Sequence, residues 1–243
     1  MILAAGEGSR LRPLTLTRPK PMIPVAGTPI LEYNVRLLAE HGVRDLTINL
    51  HHQPEVITEY FGDGSRFGVK IRYSYEPELL GTAGAVAAVR DLFEEDFLLV
   101  YGDNLSDCNL TALLELHFDR RAALTMALYR REDPQASGIV GVDDDGRVTQ
   151  FLEKPRPDQV FSNWVNAGYL AISPSVAGAI PSGRPSDFGR DVFGALLDAG
   201  RPVYGYRMTE QLWWIDSLAD YERTQRQFED AGLKHFAFDK ERR

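Results

Sequence analysis

Apolar runs of strand length alternate with segments of helical spacing through the first half of the chain. Ile2–Ala5 reads as a strand that begins almost at the first residue. Pro29–Glu40 sets Ile30, Leu31, Val35 and Leu38 at helical spacing, and Gly42 supplies a stop. Leu46–Leu50 reads as a strand, Pro54–Phe61 as a short helix and Val69–Tyr75 as another strand. Thr82 stands where it could cap a helix reaching about Leu92. "FLLVYGD" at 97–103 is the plainest buried strand. A helix over Leu110–Arg121 and a strand over Leu124–Tyr129 follow.

Strands interleaved with helices of this length predict βαβ units, an α/β class and a mostly parallel sheet with helices on both faces. The rhythm changes after about residue 135. "GIVGVDDDGRVTQFLEK" predicts a hairpin around an Asp-Gly turn, with "DDDG" at 143–146 solvated rather than metal-binding. Asn166–Ile172 and Val203–Arg207 read as further strands and Ala219–Ala231 as a closing helix, after which "DKERR" ends the sequence. With no repeat, low-complexity tract or linker, the simplest organisation is one α/β domain carrying a β-rich elaboration on its substrate side. Tyr33, Val35, Leu37, Leu38 and the cluster Phe193–Leu197 are expected in the core. His51 and His52 have no partner at metal-ligand spacing and read as loop residues.

Charge narrows the partners. There are 27 basic and 35 acidic residues among 243, a net charge of −8, which argues against a nucleic-acid polymer or an anionic membrane surface. An anion bound here must be small and held by a local cluster against the global field. Cys108 is the single cysteine, so no internal disulfide forms and a reducing compartment fits. The opening apolar run is too short for a secretory leader, and no stretch approaches the roughly 18 apolar residues that span a bilayer. The cytoplasm is the expected location, and a homo-oligomer is compatible with the sequence.

The local cluster is at the front. In "MILAAGEGSRLRPLTLTRPKPM", Gly6-Glu7-Gly8 follows a strand directly, so the backbone can turn tightly and offer N–H groups to a ligand. Leu11 replaces the third glycine of a dinucleotide fingerprint, and no Gly-Lys-Ser/Thr follows, which excludes a P-loop. Arg10 can fork across phosphate oxygens, and Lys20 is stiffened between Pro19 and Pro21. A core-building segment has no use for that ordering; a loop holding a strongly anionic ligand does.

"LAAGEGSRLRPLT" followed by "PKPMIPVAGTPILEY" resembles the opening signature of the sugar-1-phosphate nucleotidyltransferases, the nucleoside-diphosphate-sugar pyrophosphorylases. The likeness continues in order through "ELLGTAGAV", "VYGDN", "FLEKP", "NAGYLAI" and "WWIDS", over nearly the whole chain. It implies a Rossmann-like doubly wound, mostly parallel sheet with a β-rich sugar-binding elaboration, the nucleotide-diphospho-sugar transferase fold. Residues 1–135 would be mainly nucleotide-binding and 136–243 mainly sugar-phosphate-binding, in a single domain.

The resemblance assigns roles residue by residue. Arg10 would steady the departing pyrophosphate and Lys20 the α-phosphate. Leu3, Ala4, Ala5, Gly6, Gly8, Glu76, Gly81 and Thr82 would line the nucleotide. Asp103, at the end of a buried strand where open α/β sheets keep their ligand crevice, and Asp216 would hold Mg²⁺. Relatives commonly carry Gly two residues after the second aspartate; Leu218 stands there, which leaves the turn after Asp216 open. Glu153 would hold sugar hydroxyls and Lys154 the sugar phosphate, with Asn166 and the backbone of Gly138 as further sugar contacts. Neighbours on a strand point to opposite faces, so Glu153 and Lys154 can share a ligand only if regular pairing stops near Pro155 or the ligand wraps the strand end.

The implied substrates are a nucleoside triphosphate and a sugar 1-phosphate. Glu76 falls where resembling enzymes read the base edge, and an acceptor-only carboxylate matches the adjacent N1–H and N2 donors of guanine. GTP and mannose 1-phosphate are the expected pair. A heptose-1-phosphate guanylyltransferase and a glucose-1-phosphate thymidylyl- or uridylyltransferase are alternatives. A silent nucleotide-sugar sensor is the alternative from another class, although Arg10, Lys20, Asp103 and Asp216 are all present. A glycosyltransferase is disfavoured because "YGDNLSD" offers Asp-Asn in place of Asp-x-Asp. No hexapeptide repeats follow, so a fused acetyltransferase is not expected.

Overall fold

The computed structural model of the chain describes residues 1–231; "DKERR" and the end of the expected single domain lie outside the described residues. The fold is α/β with a mostly parallel central sheet, as expected. The chain forms two compact units that interleave along the sequence. One comprises Ile2–Tyr75, Gly102–Asp107 and the chain from Gln211 onward; the other comprises Met1, Glu76–Tyr101 and Cys108–Glu210. Among the described residues no helix is long and apolar enough to cross a membrane.

The unit that holds the opening loop is built on three parallel strands, β1 (Ile2–Leu3), β2 (Asp45–Leu50) and β3 (Lys70–Tyr75), in that order. The register sets Ile2 against Ile48 and Ile48 against Tyr73. Strand pairing stops at Leu3, two residues short of the expected end, because the next backbone N–H, that of Ala4, turns to the side-chain Oδ1 of Asn49 at 2.8 Å. Helix α1 (Ile30–Glu40) buries Ile30, Leu31, Val35 and Leu38 completely, each contributing roughly 1.5–3 kcal/mol. Gly42 beyond it adopts φ +81°, the left-handed conformation that ends a helix cheaply. Helix α2 (Pro54–Phe61) has the expected bounds. A core of Leu11, Ile23, Val25, Ile30, Tyr33, Leu105, Trp213, Ile215 and Phe228 joins the opening loop to the helix Leu218–Ala231.

The second unit is β-rich. The expected hairpin forms from Gly138–Val142 and Val148–Glu153, turning at exposed Asp143–Asp145 and Gly146, whose φ is +82°. The longest strand, Trp164–Ile172, pairs along one edge with Leu124–Arg130. Along the other it meets the hairpin at Val165 and the buried strand Phe97–Tyr101 over Tyr169–Ile172. Val203–Arg207 adds a parallel strand outside Leu124–Arg130. The helix expected to run from Thr82 to Leu92 is shorter: it spans Gly81–Ala88, with Leu80 at its N-cap, and a separate 3₁₀ turn covers Arg90–Leu92. Thr82 is therefore not the cap. A helix at Pro174–Ala179 and a π-turn over Phe188–Val192 leading into a helix at Phe193–Asp198 had no counterpart in the sequence reading. Phe193 and Leu196 do reach the core, as do Tyr33, Val35, Leu37 and Leu38.

Candidate active site

In the loop unit four charged side chains meet. Lys20 Nζ donates to Asp103 Oδ2 at 2.7 Å and to Asp216 Oδ1 at 3.1 Å, while Arg10 Nη2 reaches the same Asp216 oxygen at 3.4 Å. The expected set of Arg10, Lys20, Asp103 and Asp216 is thus one cluster, assembled from three distant parts of the chain.

Three of the four, Lys20, Asp103 and Asp216, are placed by local structure. A 3₁₀ turn over Lys20–Met22, closed by Met22 N to Pro19 O at 2.8 Å, aims Lys20 inward. Its stem lies against Gly8, whose φ is +61°; a Cβ on Gly8 would stand 2.6 Å from Lys20 Cβ. Thr15 closes the loop by donating from Oγ1 to Gly8 O at 3.0 Å. Asp103 lies between two fixed neighbours: Gly102 N donates to Leu3 O at 2.9 Å, and Asn34 Nδ2 from α1 donates to Asn104 O at 2.8 Å. Gly102 must be glycine, since a Cβ there would be 2.8 Å from both Ile2 Cγ2 and Leu3 O.

Asp216 is carried by "WWID". Leu212–Trp213 pairs with Leu105–Ser106, and Trp213 packs edge-on against Phe228 with ring centroids 4.9 Å apart. The last helix among the described residues, Leu218–Ala231, is tied back by Tyr221 OH to Pro24 O at 2.9 Å and by Ala26 N to Gln225 Oε1 at 2.7 Å. Leu218 is the first residue of that helix. Ser217 Oγ accepts from Asp220 N at 3.1 Å, an N-terminal cap, so no left-handed residue is needed where relatives carry Gly. The substitution leaves Asp216 in the cluster.

The charge balance is set by burial. The Lys20 side chain is 7% exposed, whereas Asp103 and Asp216 are 38% and 31% exposed. Desolvation alone would lower the lysine pKa, but the two carboxylates, Asp103 foremost, outweigh it and hold it above the ordinary value. Lys20 is therefore a fixed positive charge.

Two carboxylates that already converge on one cation, each with an open side, suit a hard oxygen-preferring ion such as Mg²⁺. Among the described residues no group of three or more His, Cys, Asp or Glu forms a closed metal cage. Any divalent ion here would need most of its ligands from substrate or water.

Of the other residues expected around the nucleotide, Leu3 and Ala4 lie at the end of β1, Ala5 is buried, and Gly6 faces open space. In the second unit Glu76 is 2% exposed, and its Oε2 accepts from Leu80 N at 3.0 Å. Gly81, at φ +74°, is pressed on the backbone oxygen of Ser186 and has no room for a side chain. Thr82 Oγ1 donates to Asp187 Oδ2 and accepts from Phe188 N, both at 2.9 Å.

The sugar-side residues also lie in the second unit. Gly138 and Glu153 are directly paired in the hairpin. The Glu153 carboxylate fits between two glycines: a Cβ would be 2.7 Å from its Oε2 on Gly138 and 2.6 Å on Gly189. Desolvation there raises the Glu153 pKa; Lys154 opposes the shift and Asp187 adds to it. Regular pairing does stop at Glu153: Lys154 has φ +46°, a left-handed conformation that breaks the strand alternation. The condition for the two side chains to serve one ligand is met. Asn166 Oδ1 accepts from Gly168 N at 3.0 Å across a bulge in the long strand, so half of its amide is engaged locally. His51 and His52 are in a loop, and His52 Nε2 approaches Thr15 O at 3.4 Å.

Sequence reasoning missed Asn34, Asn49, Asp187 and Gly189. The two asparagines are 2% and 3% exposed, and buried polar residues inside apolar elements are the usual sign of a side chain holding backbone. Asp187 lies in "RPSDFG", a stretch rich in breakers that showed no period.

The chain is 38% identical to the UTP–glucose-1-phosphate uridylyltransferase of Synechocystis over 91% of its length and 61% of the relative's. It is 40% identical to the mannose-1-phosphate guanylyltransferase of Mycobacterium tuberculosis over 89% of its length and 60% of the relative's. It therefore spans about three fifths of these curated relatives. In structure it matches a Bacillus anthracis protein solved with sucrose at a TM-score of 0.85 and 22% identity, covering 94% of both chains. It matches HddC of Yersinia pseudotuberculosis at 0.79 and 23%, covering 93% of this chain and 97% of that one. Residues 1–227 fit the profile of the nucleotidyl transferase family, and the chain belongs to that family.

Proposed function

We propose that the protein transfers a nucleotidyl group from a nucleoside triphosphate to a sugar 1-phosphate, releasing pyrophosphate. The observation that carries this reading is Lys20, buried and charged between Asp103 and Asp216 with Arg10 on the same carboxylate. One oxygen of the sugar phosphate attacks the α-phosphorus, the bond from that phosphorus to the bridging oxygen breaks, and pyrophosphate leaves with the electron pair. The attacking phosphate is already an anion, so no protein nucleophile is required. The obstacle is repulsion between two polyanions, and fixed positive charge with exact placement addresses it. Lys20 neutralises the α-phosphate, Arg10 follows the leaving pyrophosphate, Lys154 takes the acceptor phosphate and Glu153 the sugar hydroxyls. Mg²⁺ held by Asp103 and Asp216 would supply further charge neutralisation. The reaction belongs in the cytoplasm, where nucleoside triphosphates are available.

GTP and mannose 1-phosphate are the substrates this reading favours. Glu76 is an acceptor-only carboxylate, which suits the adjacent donors of guanine, and a guanylyltransferase is among the relatives. The uridylyltransferase relative supports a second reading, UTP with glucose 1-phosphate. Pyrophosphate release measured for GTP, ATP, CTP, UTP and dTTP against a panel of sugar 1-phosphates separates them. The highest kcat/KM is expected for GTP with mannose 1-phosphate. A higher value with UTP or dTTP overturns the base assignment, and no turnover with any pair turns the site into a sensor.

A further inference from the structure

The segment Ser186–Gly189 is hydrogen-bonded on one side to the loop that follows Glu76 and pressed on the other against Glu153. Ser186 N donates to Leu80 O at 2.8 Å, and Ser186 O accepts from Ala83 N at 3.0 Å and Gly84 N at 3.1 Å. Asp187 then uses both carboxylate oxygens: Oδ2 accepts from Thr82 Oγ1 at 2.9 Å and Oδ1 from Gly189 N at 3.0 Å. Its own N–H donates to Asp191 Oδ2 at 2.7 Å, which starts the π-turn over Phe188–Val192. That turn delivers Gly189 to within side-chain contact of the Glu153 carboxylate, where the space left by the missing side chain is bounded by Glu153 Oε2 and, at 3.4 Å, by Asp187 Oδ1. π-Turns inside helices recur at functional positions. The turn buries Phe188 and Val192 in the core while leaving Gly189 only partly buried, on the side that faces Glu153.

We propose that Asp187 is a positioning residue: through Thr82 on one oxygen and Gly189 on the other, it sets the Glu153 carboxylate that grips the sugar hydroxyls. This rests on the sugar-side role given to Glu153 above. Its consequence is that Thr82, expected to line the nucleotide but with its hydroxyl engaged by Asp187 and Phe188 N, controls affinity for the sugar 1-phosphate. A side chain with only a packing role would lower stability without sorting between the substrates.

The test is a double-mutant cycle of Thr82→Val and Asp187→Asn in the full chain, with thermal melting to compare folding. Each single variant is expected to raise the KM for mannose 1-phosphate about tenfold, the loss of one hydrogen bond to a charged group, with kcat changed by less than about threefold. The double variant is expected to be no worse than the weaker single one, because both changes cut the same link. Thr82→Ser, which keeps the hydroxyl, restores the parent value. Additive effects, or a rise confined to the KM of the nucleotide, overturn the proposal. Calorimetric titration of mannose 1-phosphate onto the protein loaded with a non-hydrolysable GTP analogue repeats the comparison without turnover. A parent protein that binds but does not react defeats the activity and still tests Asp187. Equal affinities across the variants defeat Asp187 alone, and no binding by the parent defeats both.

Discussion

Lys20 packs so closely on Gly8 that a side chain on the glycine would begin 2.6 Å from Lys20 Cβ. Gly8 also sits at φ +61°, where a Cβ is strained in its own right. Glycine is therefore needed twice at this point, for the turn and for the lysine. Gly8→Ala is expected to cost about 1–3 kcal/mol of stability and to displace Nζ from Asp103 and Asp216. Its kcat should fall at least tenfold, since misplacement by about 1 Å can cost a hundredfold. A variant with unchanged kcat under steady-state pyrophosphate release would show that the contact does not position the ammonium.

Removing the ammonium has a different signature. In Lys20→Met the two partly exposed carboxylates of Asp103 and Asp216 lose the cation they share. Their mutual repulsion then favours any other cation at the same oxygens. We expect kcat to fall by a factor of about 10²–10³, typical of losing one stabilising donor at a developing charge. The Mg²⁺ affinity of the free protein should rise, as read by calorimetry. If Lys20→Met binds Mg²⁺ no more tightly than the parent protein, the two aspartates are not the metal ligands.

His117 links stability to pH in the β-rich unit. It is 1% exposed, its Nδ1 pairs with Thr125 Oγ1 at 2.9 Å, and its Nε2 lies 3.4 Å from Asp96 Oδ2. Desolvation lowers its pKa in the folded state below the ordinary 6.5, and Asp96 only partly compensates. The unfolded chain therefore takes up the proton first. The contribution of neutral His117 is fully present above about pH 6.5 and is lost as pH falls below that value toward the folded pKa. Melting temperatures from pH 7.5 to 5.5 should decline in the parent protein and decline less in His117→Gln. Parallel curves would remove His117 as the cause.

Much of the site was legible because its chemistry is local in sequence. Gly6–Lys20 carries its loop, its prolines and both cations within fifteen residues, and the two aspartates each close an apolar run. That strand pairing had to stop near Pro155 for Glu153 and Lys154 to share a ligand could be stated from the sequence; that the break falls on Lys154 itself, at φ +46°, could not. Thr82 was misread as a helix cap because its partners, Asp187 and Phe188, lie more than a hundred residues downstream. No periodicity encodes such a pairing. The π-turn and the helix after it were hidden by the breakers in "PSGRPSDFG", which resemble a plain loop. Asn34 and Asn49 were missed because each sits among other polar residues of its element, Glu32 and Arg36 around the first and Asp45 and Thr47 before the second, and the sequence does not say which polar side chains hold backbone.

Glu76 offers the sharpest check on the base. The side chain is 2% exposed, and one of its oxygens is occupied by Leu80 N. Glu76→Gln keeps an oxygen for that bond and exchanges an acceptor for a donor on the other arm. Guanine, with two adjacent donors, should lose affinity against an amide; uracil, with one donor between carbonyls, should gain. The ratio of kcat/KM for GTP over UTP is expected to fall by about 10–100-fold, the range for a mispaired buried hydrogen bond. A residue that serves only to hold the Leu80 turn would weaken both nucleotides alike. An unchanged ratio with both values depressed would therefore move base recognition away from Glu76, leaving it as the anchor of its turn.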